Sequence, residues 1–482
     1  MRNLSLRNVD GSTLMLLSLG ARGLLMALAS VAIARLLGVY EFGIYAIVIS
    51  TQGVVTLFAD FGIGWSLTKF ISEHRAKNSD EALGYAKSGF ILAGIFTGFS
   101  CACYILLSHS IGVDLFHEHS IVRLVPISCL AVVGSVLLSN VSGVVLGLQR
   151  LRLLAAMQVA SSCLVVIMVL LLVPRFGIEG ALFSFVIGQG GVALASALAV
   201  NSTGFDFLWA SSHRNIADFN RRLLSFAAPA VLSSLFLVLV LWIGNAELKI
   251  VSGFESVGFF AVAMIFYQAL AVISQSISIP LFPRVSAISA VVPQDIKKTT
   301  HRSLRSMVSF FPIFFGAGLF SFVIIDLFYG AAYSDSSRAT YPLIVAAYLL
   351  GMTSILNSTL GGIGKVWVIL RINILWAAAF MILVFAFVPS WGAMGFAVAY
   401  MCSNIVQVVA TTQICHNLSC VNKNELLSTL ILPTFLFALG YMSLLYGSGF
   451  MHVEKVALLV LGSLIVIAHQ RREPRLRSSI DS

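Results

Sequence analysis

Two charged residues lie deep inside long apolar stretches of the sequence. Arg22 stands in the first stretch and Asp60 in the second, not far from Lys69 at its end. If both stretches are helices that cross a membrane, a rise of about 1.5 Å per residue puts the two side chains roughly 13–16 Å deep. Charges at this depth are costly and generally face a protein interior or a water-filled cavity. We therefore expect a polar site in the N-terminal part of the chain.

Arg22 and Asp60 allow two compatible interpretations: a structural ion pair, or an anion site at Arg22 that Asp60 tunes. Lys69 and Arg284 lie at the inner ends of the second and eighth apolar stretches. There they either only orient the chain in the membrane or draw a phosphorylated headgroup into a cleft. The candidate anion-binding residues are thus Arg22, Lys69 and Arg284. Asp60 is the carboxylate that coupling to a proton or sodium gradient would need.

No segment of the sequence completes a motif for nucleotide binding, metal binding or covalent catalysis. The segment Gly361–Val366 ends like a phosphate-binding loop, but Thr359 stands where that loop has its first glycine, and Val366 replaces the required Ser or Thr. His117-Glu118-His119 has a spacing that suits no helix face, which argues against a metal site. The seven cysteines show no paired spacing. We expect no catalytic residues, no metal and no cofactor, and hence no enzyme.

The composition is that of a membrane protein. Hydrophobic residues make up 59% of the chain and charged residues 10%, whereas soluble domains carry roughly a quarter charged residues. Apolar runs of about 20 residues follow one another, the length that crosses a hydrocarbon core of about 30 Å as a helix. Because the period-2 alternation of a membrane barrel is absent, the spans must be helices. We predict an all-α polytopic membrane protein of about 14 transmembrane helices.

The basic residues orient the predicted spans. Most of the 30 Lys and Arg residues fall in loops on one side, which the positive-inside rule makes cytoplasmic. Both termini are then cytoplasmic, and the span count is even. The other side holds Arg35, Arg123, Arg175, Lys249, Arg338 and Lys455. Because topology alone explains the net charge of +10, we expect no nucleic-acid partner.

A constant offset of 215 residues relates the two halves of the chain. It aligns Pro174–Gly180 with Pro389–Gly395, matching the proline and both glycines, and it aligns Lys69 with Arg284. Such an offset indicates a tandem duplication, and an even number of spans per copy makes the copies parallel repeats. We predict an N-terminal six-helix lobe at residues 1–210 and a C-terminal six-helix lobe at 211–415. Two additional helices and a basic cytoplasmic tail should follow at 416–482.

Three segments carry a resemblance to a known family. Ala34–Ile71 resembles the N-terminal signature of bacterial polysaccharide flippases, and Pro280–Ser286 and Leu360–Asn373 resemble its counterparts in the second lobe. These flippases belong to the multidrug/oligosaccharidyl-lipid/polysaccharide exporter superfamily. The resemblance implies two six-helix lobes around a V-shaped central cavity, which works by alternating access. It also implies a cationic cavity for pyrophosphate and acidic sugars, for which this sequence offers its three candidate cations.

The same resemblance implies a substrate and a location. Family members flip undecaprenyl-pyrophosphate-linked oligosaccharide repeat units from the inner to the outer leaflet of the bacterial cytoplasmic (inner) membrane, for O-antigen, exopolysaccharide or capsule biosynthesis. Membrane lipids, a polysaccharide polymerase and chain-length proteins are the expected partners. Three alternatives stay open: a multidrug/cation antiporter, a lipid II flippase of the same superfamily, and a non-transporting scaffold of a polysaccharide-assembly complex. An antiporter should have a more acidic cavity, and a scaffold needs no charge at membrane depth.

Overall fold

The computed structural model of the protein describes residues 11–74, 79–202, 216–289 and 294–421, with seven isolated positions nearer the C-terminus. Several predictions concern segments outside these ranges. These segments are the basic N-terminus, most of the linker between the lobes, the thirteenth and fourteenth spans and the basic tail. All helices below therefore belong to the described ranges.

The chain divides into two compact units, Met1–Ile250 and Val251–Ser482. The predicted lobe boundaries at 210 and 415 stay a prediction. The helices that begin in the first unit are α1 (Gly11–Asp60), α2 (Ile63–His74), α3 (Ser79–Leu106), α4 (His119–Gly147), α5 (Leu151–Phe185), α6 (Val192–Asn201) and α7 (Ile216–Ser278). Two π-helical turns, Ser110–Leu115 and Val186–Gly191, lie between them.

The second unit contains the end of α7 and six further helices. They are α8 (Leu281–Ser289), α9 (Gln294–Ser309), α10 (Phe311–Leu319), α11 (Ser321–Tyr329), α12 (Ser336–Gly362) and α13 (Val366–Asn417). The α9–α10 stretch and α11 meet at a bend of 61°. Buried aromatic rings fill this unit; for example, Tyr267 and Tyr400 pack edge to face, with their hydroxyl groups 3.1 Å apart.

Four glycines break the longest helices at positions that the 215-residue offset relates. Gly38 in α1 and Gly253 in α7 have φ/ψ angles of 78°/173° and 81°/176°. Gly177 in α5 and Gly392 in α13 have 55°/−130° and 53°/−130°. Residues with a Cβ rarely adopt such angles, so glycine is needed at each break. The repeat read from the sequence is therefore present in the backbone.

Seven helical stretches are long and apolar enough to cross a membrane, or eight if the bent pair counts as one span. Four of them contain a glycine break and are 45 to 58 residues long, enough for two crossings each. Divided at the breaks, and with the bent pair counted as one span, the described ranges hold twelve segments, the number expected of the two repeats. The predicted all-α polytopic membrane fold is confirmed, whereas a count of 14 helices is not.

The first stretch of α7, Ile216–Ile250, belongs to the first unit and packs along its helices. The Arg222 guanidinium donates a hydrogen bond to the Tyr85 hydroxyl at 3.4 Å. The Trp242 indole donates to the Thr51 hydroxyl at 3.0 Å. These bonds join α7 to α3 and α1.

Helix α4 begins at a capped N-terminus. The Glu118 carboxylate accepts hydrogen bonds from the Ser120 N–H at 3.2 Å and from the Tyr40 hydroxyl at 3.1 Å. Burial acts to raise the pKa of the Glu118 carboxyl, but the hydrogen bonds from Ser120 and Tyr40 outweigh it, and the pKa lies below its usual value. The bond from Tyr40 also ties α1 to the start of α4.

Candidate functional site

A polar cavity of about 490 Å³ lies within the first unit. Hydroxyl and amide side chains dominate its polar lining, and Arg22 is the one charged residue among the described residues that line it. The lining residues that can form side-chain hydrogen bonds are Arg22, Trp65, Thr68, Ser135, Ser139, Ser142, Gln158 and Gln189. Such a lining suits a ligand that carries negative charge and many hydroxyl groups.

Arg22 is held by a partner on another helix. Its Nη1 donates a hydrogen bond of 2.6 Å to Oε1 of Gln158, which joins α1 to α5. The Arg22 side chain is half-buried, and its remaining N–H groups are free of ion pairs among the described residues. Because a guanidinium has five N–H donors in a fixed plane, an oriented Arg22 can still offer a bidentate pair to a phosphate.

Gln189 enters the cavity from the π-helical turn Val186–Gly191. The Ser135 hydroxyl donates a hydrogen bond of 2.5 Å to its Oε1. A Cβ on Gly188 would clash with Val165, so this glycine allows the turn to lie close against α5. The glycine-rich sequence around Gln189 predicts close helix packing, and Gly188 meets that expectation.

Helix α2 presents two different faces. Ile63, Leu67 and Ile71 repeat every four residues and are fully buried in the core of the unit. Trp65 and Thr68 lie on another face and line the cavity. The amphipathic pattern of this short helix therefore points Trp65 and Thr68 at the polar space.

Asp60 lines a second cavity of about 360 Å³ that adjoins the first. Trp65, Ser135 and Ser139 line both cavities, and α7 contributes Ser234 to the second. The Asp60 carboxylate lies within hydrogen-bonding range of the Ser139 hydroxyl and the Gly62 N–H. Its Oδ1 is buried and has no hydrogen-bond partner among the described residues.

The break between α1 and α2 brings Asp60 and Trp65 to this second cavity. Asp60 is the last residue of α1, and Phe61 and Gly62 follow with positive φ angles of 42° and 66°. The second apolar stretch of the sequence is therefore interrupted between Asp60 and Ile63. The interruption lets side chains on both sides of the turn face one cavity.

The predicted site residues are distributed as follows. Arg22 and Asp60 line adjoining cavities, but no direct ion pair joins them in the part of the chain that the structure describes. Lys69 lies on α2, where its Nζ stands 5.1 Å and 4.3 Å from the ring centroids of Phe70 and Phe226. Arg284 is exposed on α8 in the second unit. The binding and coupling roles of these residues stay predictions.

Sequence reasoning missed the amides of the site. Gln158 and Gln189 align through the 215-residue offset with Asn373 and Asn404, which are also amides. In the second unit Asn373 again accepts a hydrogen bond, from Gln407 at 3.1 Å. Comparison of polar residues between the two repeats would therefore have singled out both glutamines.

The duplicated helical spans and the polar cavity within one repeat are those of a polytopic helical membrane protein. The chain belongs to the polysaccharide biosynthesis protein family, whose model matches residues 9–289. The predicted relationship to polysaccharide flippases is thereby confirmed at the level of family. No curated protein sequence matches the chain significantly.

Solved structures share this fold. The lipid II flippase MurJ in an inward closed conformation has a TM-score of 0.76 at 15% identity, over 95% of this chain and 99% of that one. An inward-facing MATE family multidrug resistance transporter of the MOP superfamily has a TM-score of 0.68 at 16% identity, over 83% of this chain and 95% of that one. A MOP superfamily transporter from Pyrococcus furiosus is described as having a binding pocket of reverse polarity. It has a TM-score of 0.59 at 15% identity, over 85% of this chain and 95% of that one. At these identities the likeness establishes the fold of MOP transporters.

Proposed function

We propose that this chain flips undecaprenyl-pyrophosphate-linked oligosaccharide repeat units from the inner to the outer leaflet of the bacterial cytoplasmic membrane. The units would serve O-antigen, exopolysaccharide or capsule biosynthesis. The observation that carries the proposal is a cavity lined by Arg22 and by hydroxyl and amide side chains, in a chain of the polysaccharide biosynthesis family. A glycan on a pyrophosphate needs a cation and many hydrogen-bonding groups, and this lining supplies both.

The physical problem is the polar head of the lipid. A pyrophosphate and its sugars cannot cross about 30 Å of hydrocarbon unaided, since each polar group would lose its hydrogen bonds to water. A protein cavity replaces those bonds while the prenyl chain stays in lipid. In this proposal the positive charges of Lys69 and Arg284 draw the headgroup in from the cytoplasm, and Arg22 holds the pyrophosphate. Alternating access then exposes the site to each side in turn.

Orientation, energy and partners complete the proposal. Both termini are placed in the cytoplasm by the distribution of basic residues. Asp60 is the candidate for coupling to a proton or sodium gradient, because it is the carboxylate at membrane depth in the first repeat. A polymerase and chain-length proteins would take the flipped unit.

Two alternative transport functions differ in the charge and size of the substrate. A multidrug/cation antiporter binds cations, which the Arg22 guanidinium in the cavity lining would repel. A lipid II flippase would use the same pyrophosphate chemistry, so the glycan decides between these two substrates. A non-transporting scaffold would have no use for the Arg22–Gln158 arrangement.

The test is an accumulation assay in a deletion strain of the source organism. Lipid-linked repeat units are extracted, and an impermeant glycosidase or lectin reports their leaflet. Units should build up on the inner leaflet in the deletion and with Arg22→Ala. Arg338→Ala is the matched control, because Arg338 is 75% exposed and pairs with Asp335 outside the cavity. Asp60→Asn tests coupling. Units that reach the outer leaflet normally without the protein would refute the proposal.

A further inference from the structure

Trp65 occupies an unusual place in the first unit. Its side chain is 73% exposed, yet it lines both the Arg22 cavity and the Asp60 cavity. It follows the turn at Phe61–Gly62, so its position is set by that turn as well as by α2. An indole that lies open between two polar cavities has an apolar face available to a ligand.

The Asp60 cavity differs from its neighbour in what it can bind. Among the described residues no cation lines it, and its polar groups include the Asp60 carboxylate and the hydroxyls of Thr56, Ser135, Ser139 and Ser234. These groups accept hydrogen bonds, and the hydroxyls also donate them. The lining therefore suits a neutral molecule that carries several hydroxyl groups.

We propose that the Asp60 cavity is the subsite for the first sugar of the lipid-linked glycan, with Trp65 as the platform for its ring. This inference rests on the proposed function. The pyrophosphate binds at Arg22, and the sugar attached to it lies across the shared rim of Trp65, Ser135 and Ser139. One C–H face of the sugar ring packs on the indole, whose π face attracts it. A ring hydroxyl or an N-acetyl N–H donates to the Asp60 carboxylate, which lines the cavity.

The size of the cavity supports a single sugar. An engineered apolar cavity of about 150 Å³ holds benzene, a molecule of six heavy atoms, which gives roughly 25 Å³ per heavy atom. At this rate the cavity of about 360 Å³ holds about 14 heavy atoms. This number corresponds to one hexose or one N-acetylhexosamine, so a second sugar would extend beyond this cavity.

Asp60 also sets a specificity. A uronic acid at this position would bring a second carboxyl group against the Asp60 carboxyl, which is unfavourable when both are ionised. The first sugar is therefore neutral or N-acetylated, and acidic sugars of the repeat unit, if present, bind beyond this subsite.

The experiment measures equilibrium binding of radiolabelled lipids to the purified full chain in lipid nanodiscs. The probes are undecaprenyl pyrophosphate, its N-acetylglucosamine derivative and its glucuronic acid derivative. The variants are Trp65→Leu, Asp60→Leu, Asp60→Asn and Arg22→Gln. Trp367→Leu is the control for loss of a lipid-accessible tryptophan, because Trp367 is 76% exposed on α13 and lies in the second unit.

Asp60→Leu should weaken the N-acetylglucosamine probe about 3- to 10-fold and leave undecaprenyl pyrophosphate unchanged. Trp65 also borders the Arg22 cavity, so Trp65→Leu should weaken the N-acetylglucosamine probe about 3- to 10-fold more than it weakens undecaprenyl pyrophosphate. Asp60→Asn keeps an acceptor oxygen and should retain most of the affinity, while Arg22→Gln should weaken every probe. The wild type should bind the glucuronic acid probe less tightly than the N-acetylglucosamine probe.

The outcomes separate the subsite from the proposed function. If the wild type binds both undecaprenyl pyrophosphate and its N-acetylglucosamine derivative, but Trp65→Leu weakens them equally or not at all, the subsite is wrong and the flippase stands. An Asp60→Leu variant that binds the N-acetylglucosamine derivative as tightly as the wild type would also overturn the sugar contact. A wild type that binds none of the lipids overturns the proposed function and the subsite with it.

Discussion

Gln158→Leu should weaken pyrophosphate binding although Gln158 carries no charge. The substitution removes the acceptor that holds the Arg22 guanidinium at 2.6 Å. Hydrogen bonds to charged groups contribute about 1.5–3 kcal/mol, and the half-buried position of Arg22 favours the lower end. A loss of about 1.5 kcal/mol corresponds to a roughly tenfold higher Kd for undecaprenyl pyrophosphate.

The assay is a double-mutant cycle with Arg22→Gln. If Gln158 acts by orienting Arg22, the double variant should bind no more weakly than Arg22→Gln alone. Gln413→Leu is the control, because Gln413 bonds Asn417 on the exposed surface of α13. Additive effects of the two substitutions, or an unchanged Kd for Gln158→Leu, would refute the idea that the pair acts as one unit.

Three further predictions concern stability. Gly143→Ala should lower Tm, because the added Cβ would clash with the Gly64 carbonyl and overpacking costs about 1–3 kcal/mol. Gly98→Ala is the control, since its Cβ has open space and should leave Tm unchanged. Equal shifts of Tm in the two variants would contradict the close packing at Gly143. Gly253→Ala should also lower Tm, because an alanine at φ 81° costs about 1–3 kcal/mol of backbone strain. An unchanged Tm would argue against the helix break at Gly253. Because the folded-state pKa of Glu118 is lowered, its contribution to stability is complete above the unfolded value of about 4.3 and is lost as pH falls through the folded value. Tm of Glu118→Gln should thus fall less steeply at acid pH than Tm of the wild type. The same dependence of Tm on pH in both proteins would contradict this prediction.

The sequence predicts the parts of the fold that depend on local composition. Span-length apolar runs and the 215-residue repeat indicate the helices and the duplication, and Gly177 and Gly392 were already aligned as equivalent. The angles of these glycines confirm that equivalence. Depth along a span follows from residue count, which is why Arg22 and Asp60 stood out as polar residues inside the membrane.

The geometry of the site depends on features that cannot be calculated from the position of a residue along a span. The partner of Arg22 follows from how α1 and α5 are rotated about their axes, which decides that Gln158 faces it. The placement of Trp65 follows from two consecutive positive φ angles at Phe61 and Gly62. A phenylalanine at positive φ has no marked sequence signal, because packing imposes that conformation.

Transport by the purified protein is the most direct test of the account. The chain is reconstituted in proteoliposomes with a radiolabelled undecaprenyl-pyrophosphoryl oligosaccharide, and an impermeant glycosidase measures how much glycan reaches the opposite leaflet. We predict protein-dependent transfer that Arg22→Gln abolishes and Arg338→Gln preserves. Transfer at the rate of protein-free liposomes, or equal transfer with Arg22→Gln, would contradict a flippase that works through this arginine.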